Sequence, residues 1–354
     1  MINYFLNISI FNYFLVLVLN LLLFYVINFI LVKKNILIDL KKTSSHKQLI
    51  NTDLVPVSGG LILLINCIIF NIFDNLLNQV LVLSLFLIGL FADFQKLESP
   101  IKRLMMQTIL VVVLVKINQV FVRSIGIPFV DIYLNQELIS ILFTTFCLLI
   151  LINGSNFIDG ANLQCSGYYF VVLTILIYIK SNILSNHDFE IIKVLYLYLF
   201  IFILFNFFNK SYLGDGGSYL LSFIVGFIAI KLQTITYISP YFIVLVLWYP
   251  AFENFFSILR KTRSTNTKAD QPDLLHFHHL LFKFLNNKLI LSKNISSCLP
   301  SIIINLFNGV IFYIGSYFLY SSIKLIVLIM ICVTVYVSLY FLLLRTVKLE
   351  INNI

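Results

Sequence analysis

Long uninterrupted runs of Leu, Ile, Val and Phe alternate with short polar segments from one end of the chain to the other. Within the runs the apolar residues are contiguous rather than alternating, which argues against strands of the outer-membrane barrel type. A helix needs roughly 20 apolar residues to cross about 30 Å of hydrocarbon at 1.5 Å per residue. Each crossing must also satisfy its own backbone, because the bilayer interior offers no water. The pattern therefore predicts about eleven helical spans, at 8–32, 56–73, 78–93, 104–122, 138–153, 166–182, 190–207, 218–232, 240–258, 297–318 and 323–344. The first run is longer than a signal-peptide core and lacks a basic leader and a small-residue cleavage site, so a retained span is expected there. No internal repeat or linker interrupts the series. Residues 1–354 read as a single all-α domain, a polytopic transmembrane helix bundle.

Composition sharpens this reading. Of 354 residues, 60% are hydrophobic and 11% charged, with a mean hydropathy of +0.99. A soluble domain carries about a quarter charged residues to cover its surface; here the lipid bilayer must be the solvent. The net charge of +9 would raise nucleic acid as a partner in a soluble protein. In this chain the basic residues flank apolar runs, so membrane orientation accounts for them and no nucleic acid is expected. One set of loops holds Lys33, Lys34, Lys41, Lys42 and Lys47, then Lys96, Lys102, Arg103 and Lys210, the cluster Arg260, Lys261, Arg263 and Lys268, and finally Arg345 and Lys348. The opposite set has Arg123 and a few lysines at span ends. The positive-inside rule places the first set in the cytoplasm, with the N-terminus outside and the C-terminus inside. The five cysteines show no paired spacing and read as small buried hydrophobes.

The unusual polar residues collect on the same predicted side, in loops 33–55, 93–103, 153–165, 207–218 and 259–296. Asp93 ends the third span and precedes Lys102 and Arg103; a solvated acid at a span end would look the same. Between two apolar runs lies Asn153-Gly154-Ser155-Asn156-Phe157-Ile158-Asp159-Gly160-Ala161-Asn162. A turn explains Gly and Asn, but less readily the apolar pair between Asn156 and Asp159. Asn206 is followed by Leu213-Gly214-Asp215-Gly216-Gly217-Ser218, which opens a span. Glycines at a helix start let backbone N–H groups approach phosphate, and a nearby carboxylate can hold a divalent cation; a simple helix cap has the same look. The longest loop carries Arg263, Asp273 and His276-Phe277-His278-His279. Without cysteines these histidines fit a diphosphate better than zinc, and attraction to anionic lipid is the plainer alternative. Glu253 lies inside a span, three residues after Pro250, where an acid is costly and marks a functional site or a structural ion pair.

Taken in order, these residues resemble the polyprenyl-phosphate sugar-1-phosphate transferases (glycosyltransferase family 4), which include the phospho-N-acetylmuramoyl-pentapeptide transferase and the N-acetylglucosamine-1-phosphate transferases. Ser44-Ser45-His46-Lys47 followed by Pro56 and Gly59-Gly60 is similar to the family's first cytoplasmic loop. Asn156-Phe157-Ile158-Asp159-Gly160 matches its Asn-x-x-Asp-Gly loop, and Gly214-Asp215 with Ser218 its Gly-Asp-x-Gly-Ser loop. Pro250, Glu253, Arg260 and Lys261 follow the family's spacing, and His276 to His279 resembles the His-x-His-His loop of the N-acetylhexosamine branch. The chain departs from the pattern at four places, one of them a first loop that is longer between His46 and Pro56. Ala92-Asp93 stands where the family has paired aspartates, Glu253 replaces an aspartate, and Leu163 follows Asn162 where the pattern has glycine.

The resemblance implies transfer of a sugar-1-phosphate from a UDP-sugar to undecaprenyl phosphate, releasing UMP at a bacterial cytoplasmic membrane. It implies Asp93, Asp159 and Asp215 as catalytic residues. It implies Mg²⁺, with Mn²⁺ as a substitute, on Asp215 assisted by Asn156 or Asp159. His276, His278, His279 and Arg263 would hold the diphosphate and Lys47 the lipid phosphate, with Asn156 and Asn162 also binding substrate. A homodimer is compatible with the reading. The competing expectations are muramoyl-pentapeptide transfer, a lipid or solute transporter, and a non-catalytic relative that binds the lipid carrier.

Overall fold

The computed structural model describes residues 10–38, 55–73, 75–179, 186–263, 275–289 and 292–352. Side chains at 10–12, 186, 235, 263, 288, 293 and 347–352 lie outside that description. Thirteen helices occupy the described residues: α1 (Ile10–Lys34), α2 (Gly59–Ile69), α3 (Leu76–Asp93), α4 (Pro100–Asn118), α5 (Pro128–Leu134), α6 (Glu137–Ile158), α7 (Gln164–Tyr178), α8 (Asn186–Phe207), α9 (Gly214–Ile235), α10 (Pro240–Arg263), α11 (Phe277–Lys288), α12 (Lys293–Ser316) and α13 (Ser322–Asn352). Each predicted span falls on a helix, and α5 and α11 are additional. Seven helices (α1, α3, α6, α9, α10, α12 and α13) are long and apolar enough to cross a membrane, and α2 and α7 are shorter apolar helices.

Several predicted boundaries move, each for a local reason. The span expected to stop at residue 153 continues to Ile158. Asn153 Nδ2 donates to Leu149 O at 2.9 Å and Ser155 Oγ to Leu151 O at 2.6 Å. Polar side chains bonded back to their own helix carbonyls expose no new demand, so the helix runs on. Residues 153–158 are therefore helix rather than loop. Likewise Gly214 to Ser218 form the first turns of α9 instead of preceding it. The span expected over 56–73 contracts to α2 because its approach is extended and tied elsewhere: Tyr212 N donates to Pro56 O at 3.0 Å, and Gly59 N to Tyr212 O at 2.9 Å. The loop expected at 259–296 contains the end of α10, all of α11 and the start of α12.

α9 is the axis of the bundle. In its apolar segment 89% of residues are buried, against 22% in α1 and in α13, so the outer helices present apolar side chains to lipid while α9 faces protein on all sides. Small residues allow the close approach. A Cβ on Gly89 of α3 would lie 2.4 Å from Gly216 Cα, and one on Gly60 of α2 would lie 2.6 Å from Gly217 N. Amides pair across helices, Asn20 with Asn66 in the core and Asn78 with the half-buried Asn118, each pair exchanging two hydrogen bonds. Pro250 in α10 has no N–H to offer the carbonyl of Val246. Tyr168 of α7 fills that role, its hydroxyl donating to Val246 O at 2.9 Å. The Pro250 carbonyl packs directly on α6, where a Cβ on Gly154 would come within 2.1 Å of it.

Candidate active site

The helix ends that carry the polar motifs meet at one end of the bundle. Asp93, the last residue of α3, accepts the N–H of Asp215 on Oδ1 at 3.0 Å and of Gly216 on Oδ2 at 3.3 Å. It thus caps α9 from a different helix, adding a negative charge where the helix dipole is positive. Gly214 enters that turn at φ +78°, and a Cβ there would meet Asp93 Oδ2 at 2.8 Å and a Val57 methyl at 2.4 Å. Glycine is required on both counts.

The capped turn presents Asp215, which is half-buried. Its Oδ2 accepts from Arg103 Nη1 at 3.1 Å and its Oδ1 from Asn156 Nδ2 at 2.7 Å. Arg103 also approaches the Tyr219 hydroxyl, and Asn156 the Ser218 hydroxyl. Arg103 lies in the loop that sequence reasoning places at the site, beside Asp93, but sequence reasoning gives it no role there. Ser99 and Pro100 start α4 so that Arg103 falls one turn in, facing α9.

Asn156 is one turn before Asp159, so the same helix end carries the second constellation. Asp159 and Gly160 share a small cleft with Ala161, Asn162, Asn206, Tyr212 and Leu213, the residue before Gly214. On the other side of this loop sit the histidines. A Cβ on Gly160 would lie 3.0 Å from His278 Nε2 and 3.1 Å from His279 Nε2. All three histidines are buried, with ring centroids of His278 and His279 4.2 Å apart and of His276 and His278 5.7 Å apart. His276 Nδ1 lies 2.9 Å from Glu253 Oε1. Arg260 bonds Leu275 O at 2.8 Å and the Tyr340 hydroxyl at 3.1 Å, fastening the start of the histidine segment to α13.

Asn162 has a structural task in this arrangement. It is buried, and its Nδ2 donates to Asn209 Oδ1 at 2.5 Å, with Asn209 in turn donating to Asn294 at 2.8 Å. The next residue, Leu163, adopts the left-handed conformation at φ +63°. Its N–H is held by Asn206 Oδ1 at 2.7 Å and its carbonyl by Asn305 Nδ2 at 2.8 Å. Two buried amides thus enforce a turn that glycine would adopt freely. Lys47 and Asp273 lie outside the described residues, as does the side chain of Arg263.

Among the described residues no three His, Cys, Asp or Glu side chains come together as a metal cage. Mg²⁺ does not require one: it is commonly held by one or two carboxylates, waters and substrate phosphates. The half-buried Asp215 carboxylate with the Asn156 amide beside it, and Asp159 one turn away, is a donor set of that hard-oxygen kind. Between α6, α9 and α10 lies an apolar cavity of about 220 Å³, lined by residues including Phe143, Leu151, Ile243, Leu247 and Trp248. It reaches Ile150 and Ala251, beside the contact between Gly154 and Pro250.

No curated protein matches the chain. From α3 through α9, a stretch that holds Asp93, Arg103, Asn156, Asp159 and Asp215, residues 75–233 match the model of glycosyl transferase family 4, the family that the chain's motifs resemble.

Proposed function

We propose that this multi-pass membrane protein transfers a sugar-1-phosphate, of the N-acetylhexosamine class, from a UDP-sugar to undecaprenyl phosphate. An oxygen of the lipid phosphate attacks the β-phosphorus; the new O–P bond forms as the bond to UMP breaks, and UMP leaves. The product, a lipid diphosphate-sugar, would start a surface polysaccharide such as an O-antigen or capsule. The observation that carries this reading is the junction of two clusters at one bundle end. Asn156 bonds Asp215, and Asp159 and Gly160, one turn on, lie between the cleft at Leu213 and the rings of His278 and His279. The match to a glycosyl transferase family over residues 75–233 supports a transferase.

Little covalent chemistry is asked of the protein, since the acceptor phosphate, with a second pKa of about 6, is largely dianionic at neutral pH. The burden is to bring two anions together and neutralise charge on the leaving diphosphate. His276, His278 and His279 supply ring N–H donors for the donor diphosphate, and Arg103 a fixed cation beside Asp215. Asp93 acts one step back, by fixing the turn that presents Asp215. Asp215, with Asn156 or Asp159, would hold Mg²⁺ or Mn²⁺, which when bound supplies charge neutralisation at the diphosphate.

The test is a panel of UDP-sugars with undecaprenyl phosphate and purified protein, following UMP release with and without Mg²⁺. Metal-dependent release from a UDP-N-acetylhexosamine is expected, and Asp215→Asn is expected to lose at least a hundredfold. Near wild-type turnover by Asp215→Asn would remove the metal assignment, and no release from any donor would remove the proposed reaction.

A further inference from the structure

Glu253 is 1% exposed inside α10, and an ionised carboxylate in that position is costly unless every lone pair finds a donor. Three donors reach it. Oε1 receives the Phe277 backbone N–H at 3.4 Å and faces His276 Nδ1 at 2.9 Å; Oε2 receives the Tyr336 hydroxyl at 2.7 Å. Tyr336, 3% exposed, belongs to α13, far outside the stretch that matches the family. Its ring packs against Phe277 at 4.9 Å and Phe252 at 5.1 Å between centroids, which fixes where the hydroxyl points.

We propose that Glu253 and Tyr336 are positioning residues that set the hydrogen-bonding state and orientation of His276, making the C-terminal helix α13 part of the donor-binding machinery. A carboxylate only accepts, so His276 must present Nδ1–H to it, and Nε2 is then the ring atom left for a ligand. Tyr336 holds the carboxylate's other oxygen and thereby stops Glu253 from rotating away. Arg260, bonded to Leu275 O and to Tyr340 one turn along α13, fixes the segment from its other end. The arrangement repeats the logic by which a carboxylate orients a histidine behind a metal, used here to aim a ring at an anionic diphosphate.

This inference rests on the proposed diphosphate role of the histidines, so its test has one arm that needs no turnover. In full-length protein labelled with ¹⁵N-histidine, the ring shifts of the five histidines report which nitrogen carries hydrogen, and His276→Asn assigns the signal. Wild type is expected to show His276 with Nδ1–H, and Glu253→Leu, which removes the acceptor, is expected to abolish that state. In the kinetic arm, Glu253→Gln raises the donor KM at least tenfold and Tyr336→Phe about threefold, with kcat within twofold and the unfolding temperature nearly unchanged. Combining Glu253→Gln with His276→Asn gives no further loss beyond His276→Asn alone. Should either Glu253 variant unfold, Tyr336→Phe, which deletes one hydroxyl and frees Glu253 to turn from the ring, carries both arms. Unchanged ring shifts in these variants, or losses that multiply, would overturn the positioning role. If wild type turns over no donor, the proposed reaction fails while the ring shifts still decide this inference.

Discussion

Asp93 and Asp215 meet as cap and helix rather than as a pair of ligands: both oxygens of Asp93 are taken by the N–H groups of Asp215 and Gly216. The acid at the end of α3 therefore holds the first turn of α9 in the geometry that presents Asp215. Removing a side-chain cap costs about 1–2 kcal/mol. Asp93→Ala is expected to lower the unfolding temperature in detergent as well as turnover, and Asp93→Asn, which keeps one acceptor oxygen, to recover part of both. Thermal unfolding of the two variants checks this; an Asp93→Ala protein as stable as wild type would show that the cap contributes nothing.

The pair Arg103 and Asp215 sets up a competition. The guanidinium occupies Oδ2 of the carboxylate that the proposed metal would use. Arg103→Met is expected to lower maximal turnover at least tenfold and to shift half-activation to lower Mg²⁺. Arg103→Lys keeps the charge without the planar fork and should fall between. Initial rates across a Mg²⁺ series decide it: a half-activation point that rises in Arg103→Met would mean the arginine helps the metal rather than opposing it.

The Tyr168 hydroxyl and Pro250 should be energetically coupled. Tyr168→Phe leaves the buried Val246 carbonyl without its donor, at a cost of about 1 kcal/mol. In a Pro250→Ala background the helix regains an N–H at that position, so the same substitution should cost much less. A double-mutant cycle by denaturation measures the difference. Equal costs in the two backgrounds would mean that the hydroxyl matters more as the acceptor of the Tyr249 N–H, which it meets at 3.4 Å.

Leu163 poses a question of sign. Its left-handed backbone costs about 1–3 kcal/mol, which glycine would recover. The side chain, however, is only 8% exposed, and deleting a buried leucine costs about 2–5 kcal/mol. Burial wins. Leu163→Gly is expected to destabilise the protein by about 1–3 kcal/mol in equilibrium unfolding, even though glycine is the residue of the family pattern. A more stable variant would show that the strain is the larger quantity.

Reading positions from sequence worked where one local property decided them and failed where partners did. Asn153 and Ser155 looked like loop residues because they are polar between apolar runs, yet both bond back to carbonyls of their own helix and extend it. Arg103 stands beside Asp93 in a suspected loop, yet nothing in its neighbourhood along the chain shows that α9 brings Asp215 against it. Glu253 was recognisable as costly, but its three donors come from α10's far neighbours, at His276, at Phe277 and at Tyr336 on α13.

The sequence by itself determined the helical membrane character, since lipid leaves a spanning chain little choice but to close its own hydrogen bonds in contiguous apolar runs. It also determined which polar residues would be costly to leave scattered, and so which ones to suspect. Only the tertiary structure decided their tasks: Asp93 as a cap, Asn162 as a pin, Arg103 as the partner of Asp215, and Tyr336 as the second hand on Glu253. Those assignments depend on side chains meeting within about 3 Å across helices far apart in the chain, a scale at which hydrogen bonds form or fail and which no pattern along one strand of residues encodes.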